Sequence, residues 1–500
     1  MQYSHLQLSD YNWQDDNIVI ICKDEDSQLA NLPEALHSEL KLFLEETKFS
    51  SDETKVAVYN LPREGKVQRI FLVKLKAEPC ARGRRAAMRS LEAQLREHNV
   101  REAAIVFASE FCAKASSNLL TQLSLASYRF DQHLGHGGPL PNADNELPEK
   151  PADKSLNKLN LVFAKLPESP ADLIDQAFSL ADSIRLTRLL VDQPANFMTP
   201  KMLAEAAVAA GEKYGFEVEV KKSKEIQELG MDAYWSVAKG SDCPPRFIIM
   251  RYLNHPECSE KIALVGKGVC YDSGGYAIKP ASGMVTMHAD MGGAGAVIGA
   301  ITALARAKAK VNVVAIVAAC ENMISGNAMR NGDIIGSLAG KTIEVVNTDA
   351  EGRLTLADAV TYAQRFEKAS KIIDIATLTG ACVVALGNEI AGVISNDEEI
   401  FSALEHGSKL SGDKIWRMPC DEDYALLNKS QRADICNAGS RWGGMITAGL
   451  FVRAFTGGLP WAHLDIAGPA YLDSGSDQYS AGASGVGAEI LFHATQELCK

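Results

Sequence analysis

Seven ionisable side chains stand in two short stretches of the chain. Lys267, Asp272 and Lys279 lie in IALVGKGVCYDSGGYAIKP, with Asp290 a little further on, and Asp349, Glu351 and Arg353 lie in VVNTDAEGRL. Both stretches follow apolar runs of strand character. In an open α/β sheet the crevice beyond the carboxyl ends of the strands is where ligands bind. An extended segment after residue 346 points residues two apart the same way, so Asp349, Glu351 and Arg353 are expected to project side by side. Carboxylates held that close repel each other unless a cation lies between them. Four carboxylates against two lysines and one arginine, among glycines that permit close backbone approach, suit one or two divalent cations. Two such ions ~3.5–4 Å apart activate water for attack on a carbonyl or a phosphoryl group. A lysine joins such a site only as the neutral amine, which burial and a strong cation field enforce. Surface ion pairing or helix capping accounts for any one of the seven, but not for all of them at strand ends beside Gly-rich turns.

The elements that must hold these groups form two α/β patterns, giving an α/β fold class. A small amino-terminal α/β domain is expected over 1–168, with strand candidates at 17–22, 55–60, 69–74, 103–108 and 159–164 and a helix over 82–98. An amphipathic stretch at 171–190 ends before Pro194 and reads as a linker helix over 169–195. A larger α/β domain follows over 196–500, a central mixed sheet flanked by helices. Its strand candidates are 216–220, 246–252, 261–266, 311–319, 342–346, 371–375 and 462–466. Asp290 is placed to N-cap a helix over 292–307. The Gly/Pro-rich segment 133–155 reads as an exposed loop, and His133 and His136 within it as solvated histidines rather than metal ligands.

Composition narrows the function. With 51 Lys+Arg against 63 Asp+Glu the net charge is −12, which disfavours nucleic acid as the main partner. The apolar share of 46% is enough for a sizeable core and too high for a disordered chain. No apolar stretch reaches the ~18 residues of a membrane span, and the first residues show no secretory signal, so a soluble cytoplasmic protein is expected, with no membrane partner. Eleven cysteines without a C-x-x-C pair read as reduced thiols.

The run NTDAEGRL, residues 347–354, resembles the signature of the leucine aminopeptidase family, the M17 dimetal cytosol aminopeptidases. VGKGVCYDSGG, IKP, DMGGA, DIATLTGA, WRMP, RWGG and HLDIAG stand in the family's order, and LLVDQPANFMTP resembles the segment that leads into its catalytic domain. The resemblance covers residues 180–500. It implies that Lys267, Asp272, Asp290, Asp349 and Glu351 are metal ligands, with Asp272 and Glu351 bridging two divalent ions (Zn²⁺, Mn²⁺ or Mg²⁺). It implies that Lys279 polarises the scissile carbonyl of a peptide substrate and that Arg353 holds a bicarbonate acting as general base. It also implies a side-chain pocket walled by Met287, Thr377, Gly380 and Ala467, with backbone contacts from Leu378, fit for leucine-like termini, and a homohexamer. Tyr271, Tyr276, Ala277 and His288 depart from the family's usual residues, none of them at a ligand or catalytic position.

Other readings are weaker. GSLAGKT, residues 336–342, has one residue too few between its glycines for a P-loop and leads into a strand rather than a helix. YDSGG is not a nucleophile elbow, so Ser273 reads as a turn residue. His463 reads as a structural histidine. A binding role on DNA would have to rest on the basic run RGRRAAMR at 82–89, against the overall charge.

Overall fold

The computed structural model describes residues 2–23, 32–47, 56–63, 65–76, 80–134 and 156–500. Most of the loop 133–155, with His136, lies outside the described residues. Contacts divide the chain into two compact units, Met1–Ala181 and Asp182–Lys500. The division falls inside the helix Pro170–Asp192.

The first unit is a six-stranded sheet in the order Gln2–Gln7, Lys158–Phe163, Glu102–Phe107, Asn17–Lys23, Lys66–Leu75, Val56–Arg63. All neighbours are parallel except the last pair, a hairpin that closes one edge. Side chains alternate across a strand, and here both faces are covered. From Asn17–Lys23, Val19 and Ile21 pack with Met88, Leu91 and Leu119, whereas Ile18 and Ile20 pack with Leu36 and Leu40. The Gln2–Gln7 strand escapes sequence reading because SHLQ offers no apolar run.

The second unit is built on an eight-stranded mixed sheet. Its order is Lys414–Arg417, Ile390–Ser395, Trp461–Asp465, Lys371–Ala376, Ile262–Asp272, Asn312–Asn322, Arg246–Leu253, Glu217–Lys221. The four central strands, from Trp461–Asp465 to Asn312–Asn322, are mutually parallel, so their carboxyl ends, Asp465, Ala376, Asp272 and Asn322, share one edge of the sheet. The helix Gly352–Arg365 packs Leu354, Ala357 and Val360 on Ala263, Val265, Val314 and Ile316. The helix Gly292–Arg306 presses closely on the same strands: a Cβ at Gly293 would sit 2.1 Å from the Ile375 carbonyl oxygen. Only glycine permits that approach.

One expectation is corrected here. The run 342–346 contributes only Ile343–Glu344, in a small separate sheet with Ile334–Ile335 and Ile435–Cys436. The strands Ile390–Ser395 and Lys414–Arg417 escape sequence reading. The first carries Ala and Gly among few large side chains, and the second is a four-residue edge strand. All eleven cysteines are free thiols, and among the described residues no helix is long and apolar enough to cross a membrane.

Candidate active site

The strand Ile262–Asp272 carries Lys267 along its buried course and ends in Asp272. Asp290 follows the 3-10 turn Met287–Ala289 and does not cap the next helix, whose N-cap is Met291. Its carboxylate is otherwise engaged, with Oδ1 accepting from Lys267 Nζ (2.7 Å) and from the Thr377 hydroxyl (2.8 Å). The segment after residue 346 is a turn and not the expected extension: Ala350 N donates to Asn347 O, and Glu351 has helical backbone angles immediately before the helix Gly352–Arg365. Asp349, Glu351 and Arg353 are therefore brought to the cleft by a turn feeding a helix.

These residues line a single cavity of about 930 Å³ with Lys279, Met287, Thr377, Leu378, Gly380 and Ala467. Carboxylate oxygens of Asp272, Asp290 and Glu351, all buried, lie within 4.8 Å of one another. Lys267 Nζ bridges two of them, 2.7 Å from Asp290 Oδ1 and 2.9 Å from Glu351 Oε1, and lies 3.0 Å from the Thr377 carbonyl. Lys279 Nζ lies 2.8 Å from Asp272 Oδ2 and 2.5 Å from Asp349 Oδ1. A Cβ at Gly352 would meet Lys267 Cε at 2.5 Å, so the lysine's path requires glycine there.

Electrostatics mark the cluster as short of positive charge. Burial alone would depress the Lys267 ammonium, yet Asp290, Glu351 and Asp272 outweigh it and hold the group above its ordinary value. Burial likewise opposes the charge on Lys279, and Asp272 and Glu351 raise it. Burial pushes the Asp290 carboxyl well up, with Lys267 opposing. Glu351 is raised by burial and by Asp272, and Asp349 by the same two causes. Asp290 Oδ2 and Glu351 Oε2 are buried and meet no hydrogen-bond donor among the described residues. Such orphaned oxygens are costly unless a cation or donor reaches them. Hard oxygen donors in this arrangement fit divalent cations.

Arg353 behaves differently from the lysines. It is buried, its Nη1 donates to the Asn437 carbonyl (2.7 Å), and its Nε meets no acceptor among the described residues. Burial lowers it to about 10, against the pull of Glu351, so it stays cationic at neutral pH. A buried guanidinium without a carboxylate partner in the cavity wall suits a small anion.

Sequence reasoning missed side chains that fix the site, among them Asn322 and Asp465. Asn322, at the carboxyl end of its strand, donates from Nδ2 to Asp272 Oδ1 (2.8 Å) and to Thr348 O (3.0 Å). Asp465, at the end of another central strand, receives bonds from the pocket loops. Their positions at strand ends beside the cleft were the available signal. Ser273 is a turn residue, its hydroxyl donating to Asn322 O. His463 is fully buried in its strand with Nδ1 2.5 Å from Asp374 Oδ1. Residues 336–342 form a turn leading into a strand, with no helix to complete a phosphate loop.

Residues 185–492 match the cytosol aminopeptidase family, catalytic domain. The chain is 53% identical over 328 residues to a probable cytosol aminopeptidase of Clostridium perfringens, covering 65% of this chain and 66% of that protein. It is 41% identical over 478 residues to one of Synechococcus sp., covering 93% of this chain and 91% of that protein. Among solved structures, the bottromycin maturation enzyme BotP in complex with Mn superposes with a TM-score of 0.83 at 28% identity, over 97% of this chain and 100% of that one. Fold and site together define a metal-dependent aminopeptidase. The chain belongs to the cytosol aminopeptidase family.

Proposed function

We propose that the chain releases amino-terminal residues with leucine-like side chains from peptides, using two divalent cations and a bicarbonate. Lys267, Asp272, Asp290, Asp349 and Glu351 would hold the cations, Zn²⁺, Mn²⁺ or Mg²⁺. Bound there, such ions supply an activated water and Lewis acidity toward the first peptide bond. Lys279 lies at the cavity wall beside Asp272 and Asp349, where its ammonium would polarise the scissile carbonyl and stabilise the developing oxyanion. Arg353 would hold the bicarbonate, which would supply a general base in a site whose own carboxylates are committed. The free α-amine of a peptide offers the acidic end of the site a basic nitrogen that an internal peptide bond lacks, which restricts cleavage to the terminus. Met287, Thr377, Gly380 and Ala467 would wall the side-chain pocket, and Leu378 would contribute backbone contacts.

The observation that carries this reading is the buried triad Asp272, Asp290 and Glu351, with two orphaned oxygens, in a cavity large enough for a peptide. Leu-p-nitroanilide should be hydrolysed with Zn²⁺ or Mn²⁺ and not after chelation, and Asp272→Ala or Glu351→Ala should abolish metal binding. Persistent activity in chelator overturns the reading. We propose further that the protein works in the cytoplasm as a homohexamer; its mass in solution tests the assembly.

A further inference from the structure

We infer that Asp465 is a positioning residue that sets the width of the side-chain pocket and hence the choice of released residue. The inference rests on the pocket assignment proposed above and concerns a residue that contributes no wall to that pocket. Asp465 is fully buried. It ends the strand Trp461–Asp465 in register with Ala376, the last residue of the neighbouring parallel strand. From this pair the two segments leave the sheet, and residues 377–380 of one and 467–468 of the other both line the cavity.

One carboxylate ties them together. Asp465 Oδ1 accepts from Leu378 N (3.2 Å), Thr379 N (3.4 Å) and Ala467 N (3.1 Å), and Oδ2 accepts from the Thr379 hydroxyl (2.6 Å). The Thr379 hydroxyl in turn accepts from Cys382 N (3.0 Å) and caps the helix Gly380–Leu386. A Cβ at Gly468 would lie 2.2 Å from the Gly387 carbonyl oxygen, so the far end of that helix abuts the second loop as well. The clamp reaches the acidic cluster through Thr377, whose hydroxyl donates to Asp290 Oδ1 and whose carbonyl accepts from Lys267.

An ionised carboxylate has lone pairs for all four donors, whereas an asparagine amide replaces one oxygen by a donor. Asp465→Asn therefore leaves Thr379 without an acceptor for its proton, and buried groups left unpaired move to find partners. Thr379→Val removes both bonds of the hydroxyl, the one to Asp465 and the cap on Cys382 N, and keeps the backbone donors on Asp465. Both loops then loosen, and a pocket fitted to one side chain loses discrimination before it loses chemistry.

The test uses metal-loaded, full-length wild type, Asp465→Asn and Thr379→Val with Ala-, Leu-, Met- and Phe-p-nitroanilide. KM for the Leu and Met substrates should rise about tenfold with kcat within about threefold, and the Leu-over-Ala ratio of kcat/KM should fall about tenfold. Metal content should stay at the wild-type level. Should Asp465→Asn fail to fold, Thr379→Val reads the same ratio. An unchanged Leu-over-Ala ratio in a folded, metal-loaded variant overturns the inference, and so does an equal fall of kcat on every substrate. Activity of the wild type on these reporters is the separate control: its absence overturns the aminopeptidase reading instead.

Discussion

Gly352→Ala places a single methyl group against the amine on which half of the acidic cluster converges. The added Cβ would lie 2.5 Å from Lys267 Cε and 2.7 Å from both Cδ and Nζ, where ordinary contact begins at 3.4 Å. Relief requires Cε to move by about 0.9 Å (3.4 − 2.5). The lysine has little room to comply, because its side chain is 3% exposed and its Nζ is held by Asp290, Glu351 and Thr377. Overpacking of this kind costs about 1–3 kcal/mol, of which alanine's helix propensity returns up to about 1 kcal/mol. Folding should therefore suffer little, a few degrees in Tm. Function should suffer far more, since misplacing a reacting group by about 1 Å costs on the order of 100-fold. Three measurements on one preparation separate the effects: thermal midpoint, metal per chain after dialysis, and kcat/KM on Leu-p-nitroanilide. The expected result is a folded protein with reduced metal content and kcat/KM down about 100-fold. A Gly352→Ala protein with full metal content and activity within about threefold of wild type would refute the role given to Lys267.

Three further outcomes are expected. Lys279→Ala should retain nearly all its metal and lose ~10²-fold or more in turnover, because the ammonium acts on developing charge; equal loss of metal, by elemental analysis, would contradict this. Arg353→Gln should abolish any dependence of turnover on added bicarbonate, and a bicarbonate response matching wild type would remove the anion from the arginine. Asp358 accepts from the backbone N–H groups of Tyr234 and Leu338 in the core, and burial pushes its carboxyl up to about 7. The folded chain thus holds this proton more tightly than the unfolded one, so the contribution is fully present below about pH 4 and is lost as pH rises toward 7. At roughly 1.4 kcal/mol per unit over about three units, the wild type's stability relative to Asp358→Asn should fall by up to ~4 kcal/mol between about pH 4 and 8. Urea unfolding of both proteins across that range measures the difference, and a flat difference rejects it.

How much of the fold is legible in the amino-acid sequence depends on which forces are local. Buried parallel strands such as Asn312–Asn322 need apolar residues on both faces, so they stand out as continuous runs. Chemistry-bearing residues stand out because they follow those runs. The turn at 347–350 does not, since it is imposed from afar: Asn437 accepts from Val346 N and Asn347 N and donates to Asn347 O and Ala350 O across some ninety positions of sequence. The same distant residue changes the charge arithmetic. Counted from sequence, four carboxylates face three cations. In the folded chain Arg353 gives its Nη1 to the Asn437 carbonyl and forms no bond to the acids, so among the described residues Asp272, Asp290, Asp349 and Glu351 pair only with the cations Lys267 and Lys279. The acidic side is thus left two positive charges short, and the arginine is left with a charge of its own to satisfy. A site with both deficits in one cavity suits the cations and the anion proposed for it, which is why a metal-dependent hydrolase is a better account of it than a network of structural ion pairs.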